Sequence, residues 1–507
     1  MGAAPSCCSD SGDVPPIEVV EGEPSAVNLG DAGNAGNAGK AGCQLQWTAE
    51  PPIDEHGPEH EPSRHLRLDS ELLRGIPLNS SLQGFGRLWR KSPIDLPEAA
   101  RGALWEKSVG VEKLDIFLSH TWHTPGSQKI RALMVQSGCH CFVLGWLLGS
   151  AVAVLLELFA FPRHRNLSAR LGGFVGSLLG FLASPYLPQP CGREMCFLDV
   201  VCIHQADPEL MQRGIYGLGG FLKASSEMRI LWSPPYLSRL WCIFELAAFR
   251  KANPSGRIVL KPLYLEVGLL YAILANYVVP LVHEMHIWLS GDTGSWRQWM
   301  ALLILPFVPL VHKLRRLFHQ KRQLIENMKS FELANVSCRV TSDRDFIYAG
   351  IREWYGSEEA FEQYVRGPLY DELVFPFRKS EFPAVYWLML MTPVLSAEVD
   401  HWLTSLEASP GLDPYISFLA HVVAASLLSM NLLSLGVLLC DVFARPAAGI
   451  WDYGKTLLIW LVIGFGLYGN LQTEFILRES HEVALSVCAA QAVACFLLRY
   501  VVPKWTT

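Results

Sequence analysis

One acid in this chain has no explanation in its neighbours. Ser233 to Leu246 reads S-P-P-Y-L-S-R-L-W-C-I-F-E-L, and from Arg239 to Arg250 a helix would be apolar almost all round, with Glu245 its single acid. A carboxylate on such a helix costs free energy unless it is paired or used. Used, one anionic carboxylate can stabilise positive charge developing on a sugar ring and hold the ring's hydroxyls. Trp241, four residues earlier on the same helix face, or Trp232 could stack on a flat ring. Paired, Glu245 would meet an arginine such as Arg229 or Arg239 in a structural ion pair, since such pairs also produce isolated buried acids.

The surrounding pattern supplies the elements that would position these groups. Glu227 to Trp232 reads as a buried strand stopped by Pro234 and Pro235, with Ser238 placed to cap the helix that follows. Lys113 to Trp122 reads as a strand with a polar end, broken at Pro125 and Gly126 and followed by an amphipathic helix from Ser127 to Gly138. Met195 to Gln205 reads as a second strand, with Asp199 a structural residue in its middle. Pro208 opens a helix near Glu209 to Ala224, and Arg257 to Leu265 reads as a further strand. Strands alternating with helices imply a parallel sheet covered on both faces. In such a sheet ligands bind beyond the carboxyl ends of the strands. Ser119, His120, Thr121 and Trp122, His204 and Gln205, and Trp232 and Ser233 should therefore converge near Glu245. By residue type alone, His120 and His204 read as turn-forming or hydrogen-bonded groups.

The chain has 507 residues, half of them hydrophobic and 18 % charged, against a usual charged share of about 25 %. The apolar excess lies in long runs with few charges, the mark of membrane spans. Residues 141–187 form a hairpin of two runs, 141–161 and 171–187, either spanning, re-entrant or buried in protein. The arginines of Pro162 to Arg170 lie against the positive-inside tendency. Residues 263–312 hold two spans, 263–282 and 296–312, the second ending on the basic run Lys313 to Arg322, which belongs in the cytosol. Residues 313–380 are soluble in character, with a capping box at Ser342 to Asp345 and Ser357 as a second cap. Residues 382–502 hold four more spans, near 382–396, 415–440, 456–471 and 483–502. The expectation is an integral, multi-pass protein of about eight spans with both termini cytosolic and the lipid bilayer as a partner. The spans carry few ionisable residues, which counts against a channel or transporter; Glu157, which near the far end of its helix could equally snorkel, is the main exception and His421 the next.

Residues 1–65 are low in complexity and too polar to fold. Gly2, Ser6, Cys7 and Cys8 fit a pattern for myristoylation with a second acyl signal, and no secretory signal follows the start. Residues 66–112 should form short helices packed on the sheet. A net charge of −6 gives no hint of nucleic-acid binding. The thirteen cysteines are scattered, and they read as free thiols. Cys139, His140 and Cys141 with Cys191 and Cys196 match no familiar zinc spacing, and no metal is expected.

Three stretches carry a resemblance. Asp115-Ile-Phe-Leu-Ser-His120 resembles the first box of Toll/interleukin-1 receptor (TIR) domains, usually D-V-F-[LI]-S. Ser233-x-x-Tyr236-x-x-x-x-Trp241-Cys242-x-x-Glu245-Leu246 is similar to the S-x-x-Y-x-x-S-x-W-C-x-x-E-L stretch of plant-type TIR domains, with one extra residue before the tryptophan if Ser238 is matched. Phe197-Leu198-Asp199-x-x-Cys202-Ile203-His204-Gln205 resembles the signature of the related heterokaryon-incompatibility domains. The resemblance covers about 113–265. It implies an α/β flavodoxin-like parallel sheet, here split into 113–140 and 191–265 by the hairpin, followed by transmembrane helices and completed from 313–380, for example by a strand at Asn335 to Val340. It implies self-association. In the members that hydrolyse NAD⁺ at the nicotinamide–ribose bond, it implies a catalytic glutamate at the position of Glu245. NAD⁺ would be a substrate and no cofactor is implied. Ser119, His120, Trp122, His204, Trp232, Ser233 and Trp241 are the expected binding residues. A non-catalytic assembly module and a channel or transporter with a regulatory cytosolic domain remain the other readings. The hairpin lies at the amino ends of the strands, and the exit after the fourth strand is expected to leave from the opposite edge.

Overall fold

The computed structural model describes residues 66–159, 168–188, 194–290, 307–378, 383–408, 414–477 and 481–496, all within a unit spanning Glu61–Thr507. The acylation pattern, the 1–65 tail, the centre of the hairpin turn and most of the expected span 296–312 lie outside the described residues.

Six strands form one mixed sheet in the order β2-β1-β4-β3-β5-β6: β1 (Arg74–Pro77), β2 (Val109–Gly110), β3 (Leu114–Ser119), β4 (Met195–Phe197), β5 (Ser225–Trp232) and β6 (Arg257–Pro262). β4, β3, β5 and β6 run parallel, with Ile116 opposite Cys196 on one side and Glu227 on the other. β1 joins β4 antiparallel and β2 joins β1 antiparallel. The parallel strands are apolar in unbroken runs because both of their faces are covered. Phe117 and Phe197 stack at 4.5 Å and 9°, and Leu114, Phe117, Met228, Ile230 and Leu231 are fully buried.

Three expectations change here. Residues 66–112 do form helices, α1 (Leu78–Arg90) and α2 (Glu98–Trp105), but they also supply β1 and β2. Arg74 holds β2's approach in place, lying 4.4 Å over the Trp105 ring and donating to Ser108 Oγ at 2.8 Å. α1 is interrupted by a left-handed turn at Gly84, Phe85 and Gly86 (φ 60°, 56°, 65°), a conformation glycine adopts freely and phenylalanine does not. The second strand stops at Phe197. Asp199 then begins the helical turn α5 (Asp199–Cys202), its carboxylate accepting from the Val200 amide at 2.8 Å, the local competition that makes Asp end a strand. Asp199 is therefore at a strand end and not mid-strand.

The helices between the strands are α3 (Gly126–Phe159), α4 (Ala169–Ala183), α6 (Pro208–Tyr216), α7 (Leu218–Lys223) and α8 (Leu240–Ala252). The expected amphipathic helix and first apolar run are one element, α3, since Cys139-His140-Cys141 contains nothing that breaks a helix. α3 and α4 touch backbone to backbone. A Cβ on Gly145 or Gly149 would strike the carbonyl of Gly176 or Gly172, and one on Gly180 the carbonyl of Cys141.

After β6 follow α9 (Leu263–Ser290), α10 (Phe307–Lys329), α11 (Thr341–Tyr355), α12 (Glu358–Tyr364), α13 (Tyr370–Arg378), α14 (Ala384–Ala408), α15 (Pro414–Phe418), α16 (Ala425–Val442), α17 (Ile450–Leu477) and α18 (His481–Phe496). α9 does not leave from the opposite edge. It turns at Pro262 and runs beside α3 in the same direction. Gln136 meets Glu266 near the start of both, while Phe174 and Arg170 of α4, which lie along the far half of α3, meet Tyr277 and Glu284. The basic run in α10 is largely taken up by acids. Arg315 is wholly buried against Asp452 and Thr456, and Lys321 pairs with Asp441 at 3.0 Å. Ser357 caps α12, accepting from Ala360 N at 3.1 Å. The capping box at Ser342 is not formed, because α11 begins at Thr341 without a side-chain cap.

Three described helices are long and apolar enough to cross a membrane: Gly126–Phe159, Leu263–His286 and Val422–Val442, with mean hydropathies of 2.1, 1.8 and 2.1 over an 18-residue stretch of each. On α3, Leu144, Leu148, Leu155 and Phe159 are exposed, an outward apolar face of the kind that marks a contact surface.

Candidate functional site

The site is built where β3 and β5 end. Ser119, the last residue of β3, is fully buried, and its hydroxyl donates to Oε2 of Glu245 in α8. The same Oγ lies 2.5 Å from the hydroxyl of Tyr236, which is 1 % exposed. Glu245 makes no ion pair among the described residues. Arg229 is engaged by Glu227 at 2.9 Å, and Arg239 stands at the start of α8. The structural-pair explanation is therefore not what holds this acid. Burial pushes the Glu245 carboxyl up from 4.5 to about 8; the Ser119 bond offsets part of that, and Asp199 adds to it. Loss of hydration disfavours the ion, and no cation among the described residues compensates.

α8 is placed by an unexpected partner. Ser238 does not cap it but donates to Pro235 O at 2.8 Å. The backbone of Ser337 bridges instead: its amide donates to Ser238 O at 2.9 Å, and its carbonyl accepts from Leu240 N at 3.1 Å. Ser337 forms only an isolated parallel bridge with Arg239, so Asn335 to Val340 does not add a strand to the sheet.

A second group of side chains sits beside Ser119. Trp122 Nε1 donates to Asp199 Oδ2 at 2.7 Å. His120 lies edge-on between Trp89 and Trp122, with ring centroids 5.2 and 5.0 Å away. Its Nε2 is 3.9 Å from Asp199 Oδ1 and has no hydrogen-bond partner among the described atoms. Burial, then Lys129, lowers His120 to about 4, so the ring is neutral near pH 7. Lys129, fully buried, donates to Thr121 O at 3.1 Å and lies 4.3 Å over the Trp122 ring. Thr124 and Ser233 join the β3 and β5 turns through hydroxyls 2.5 Å apart.

The sequence-derived site residues thus divide. Ser119 meets Glu245, His120 and Trp122 gather at Asp199, and Ser233 ties the two turns together. Trp232, 1 % exposed, packs edge-on to Tyr264 inside the core and presents no face to a ligand. Trp241 turns to α11, donating to Asp343 Oδ2 at 3.0 Å and packing near Phe244 and Phe346. His204 accepts from Asp207 N at 2.8 Å and lies beside Trp105, so it braces a turn. Sequence reasoning missed Asp199, Lys129, Thr124 and Tyr236. Asp199 carried the same signal as Glu245, a single acid in an apolar run. Tyr236 stood within the quoted box.

Among the described residues no group of three or more His, Cys, Asp or Glu could hold a metal ion. No family model, curated protein or solved structure matches the chain.

Proposed function

We propose that the sheet is a TIR-like domain of flavodoxin type in a multi-pass membrane protein with cytosolic termini, and that its Glu245 cleaves NAD⁺ between nicotinamide and ribose. The single observation that carries this reading is the Glu245 carboxyl, unpaired by any cation among the described residues and held by a serine at a strand's carboxyl end. Two features of the sheet support it. Numbered among themselves, the parallel strands lie in the order 2-1-3-4, which is how the flavodoxin-like order 2-1-3-4-5 begins. The turn after β3 and the turn after β5 flank the point where that order reverses, the place where ligands bind in such sheets. In this reading 113–140 and 191–265 are two parts of one domain, and α10 to α13 close it.

The chemistry follows from the carboxylate. As the bond from the ribose carbon to the ring nitrogen breaks, its electron pair leaves with nicotinamide and the ribose becomes positive. Ionised Glu245 stabilises that charge, and Ser119 orients it. Water then adds to the ribose carbon and releases a proton. Asp199, with its exposed edge beside Trp122, is placed to hold a ribose hydroxyl.

The test is nicotinamide release by full-length protein purified in detergent and concentrated to favour assembly. Wild type should release nicotinamide, and Glu245→Ala should lose at least a hundredfold of the rate. Release that survives the substitution would remove Glu245 from the chemistry.

The second reading, a non-catalytic assembly module, gains from one observation: both tryptophans expected to stack on substrate are engaged elsewhere, Trp232 in the core and Trp241 on Asp343. It requires self-association unchanged by Glu245→Ala and no NAD⁺ turnover by assembled wild type.

A further inference from the structure

Four helices, α3, α4, α9 and α14, enclose a column of buried polar groups that the chemistry of Glu245 does not use. Nearest the sheet, Gln136 Nε2 and the Tyr386 hydroxyl both donate to Glu266 Oε1, at 3.0 and 3.3 Å. Glu266 is 1 % exposed. Its Oε2 and the Oε1 of Gln136 have no partner among the described atoms. Midway along the helices, Tyr277, Thr392, Ser177 and Ser396 are all buried. The Tyr277 hydroxyl lies within reach of the other three, yet it and Ser177 Oγ make no aligned hydrogen bond among the described atoms. Trp146 donates to Ser396 Oγ at 2.8 Å, and Ser150 lies 3.5 Å from it. At the far end Asp400 accepts from the Ala169 and Arg170 amides at 2.6 and 3.1 Å, and Arg170 pairs with Glu284. Glu266 and Glu284 are 18 residues apart on one helix, about 27 Å at the α-helical rise, close to the hydrocarbon thickness of a bilayer.

Buried polar atoms without a protein partner are where ordered water sits. Here four of them lie along one column that runs from Glu266 to the acids Glu284 and Asp400, in helices that include two of the three described apolar candidates for a span. We propose that this column conducts protons between the Arg170–Glu284–Asp400 cluster and Glu266. A proton needs only hydroxyls, carboxyls and single waters, each accepting one proton and passing on another, with no net bond change. Glu266 is the relay at the sheet end. Facing it are Lys261 of β6, Gln136 of α3 and Tyr386 of α14, with Cys139 and Arg229 close to Tyr386. The inference rests on these helices lying in a bilayer and is independent of Glu245.

The full-length protein would be reconstituted into liposomes of neutral lipid loaded with a pH-sensitive dye, and a potassium diffusion potential imposed. Wild-type vesicles should acidify at least tenfold faster than protein-free ones. Glu266→Gln should return to within twofold of the protein-free rate, and Tyr386→Phe, which keeps the ring, should slow the flux severalfold. Protein that co-floats with vesicles but gives no proton flux overturns the inference alone, as does flux unchanged in both variants or carried by potassium. Protein that does not co-float contradicts the membrane reading, and the inference falls with it.

Discussion

Ser119 and Glu245 are 126 residues apart in sequence and share one hydrogen bond; burial of the carboxyl sets how the site responds to pH, and the bond offsets part of it. Glu245 is raised from 4.5 to about 8, so the folded protein keeps a proton that the unfolded chain gives up. Its contribution to stability is complete below 4.5 and is lost as pH rises through about 8. His120 is lowered from 6.5 to about 4, so its contribution is present above 6.5 and lost as pH falls through about 4. Thermal melts of detergent-purified protein should show Glu245→Gln losing less stability than wild type between pH 6 and 9, and His120→Gln losing less between pH 6.5 and 4. Variants that track wild type in both windows would contradict these assignments. At this scale Glu245 was legible because an acid in an apolar helix has few explanations. Trp241 was legible as a large aromatic but not in its use, because its partner Asp343 lies 102 residues away and no local pattern points to it.

The elements were legible where periodicity was strong and less so where packing decided. The described part of the first apolar run, 141–159, lies in α3 and residues 171–183 of the second lie in α4, but their pairing depends on glycines that meet backbone to backbone, at Gly145 and Gly149 in α3 and at Gly172, Gly176 and Gly180 in α4. Close approach of this kind is the small-residue packing that joins helices in lipid. Gly176→Leu would drive a side chain into the carbonyl of Gly145. Overpacking costs about 1–3 kcal/mol where the structure can yield, and here the obstacle is backbone. Gly176→Leu should therefore lower the melting temperature by several degrees and open the hairpin to protease, whereas Gly464→Leu, with nothing within 4 Å of its Cβ position, should leave both unchanged. Equal effects at the two glycines would argue against a close-packed hairpin. The strands β1 and β2 were not legible, since four and two residues carry no usable alternation. The early end of β4 was hidden because Asp199 closes a turn within an apolar run that reads as a longer strand.

At the scale of the whole molecule, the sheet and the helices share one arrangement. α3 and α9 each start at the carboxyl end of a parallel strand and run on side by side, so one sheet accommodates both departures. The sequence suggested opposite edges because it does not show that α9 reverses at once after Pro262. The 313–380 stretch packs against the sheet's own core through Leu324, Met328, Ile347, Phe361 and Leu369. Its backbone at Ser337 holds the start of α8, and so the helix that presents Glu245. On the proposed function, ionised Glu245, tuned by Ser119, breaks the nicotinamide–ribose bond. The most direct measurement is kcat/KM for nicotinamide release between pH 6 and 9.5, in wild type and in Ser119→Ala, since this parameter reports the free protein's essential groups. The rate should climb about tenfold per pH unit and level off above about 8, with the midpoint moved upward in Ser119→Ala because the lost bond favours the ionised form. A profile that is flat or falls across this range, or a midpoint unmoved by Ser119→Ala, would contradict it.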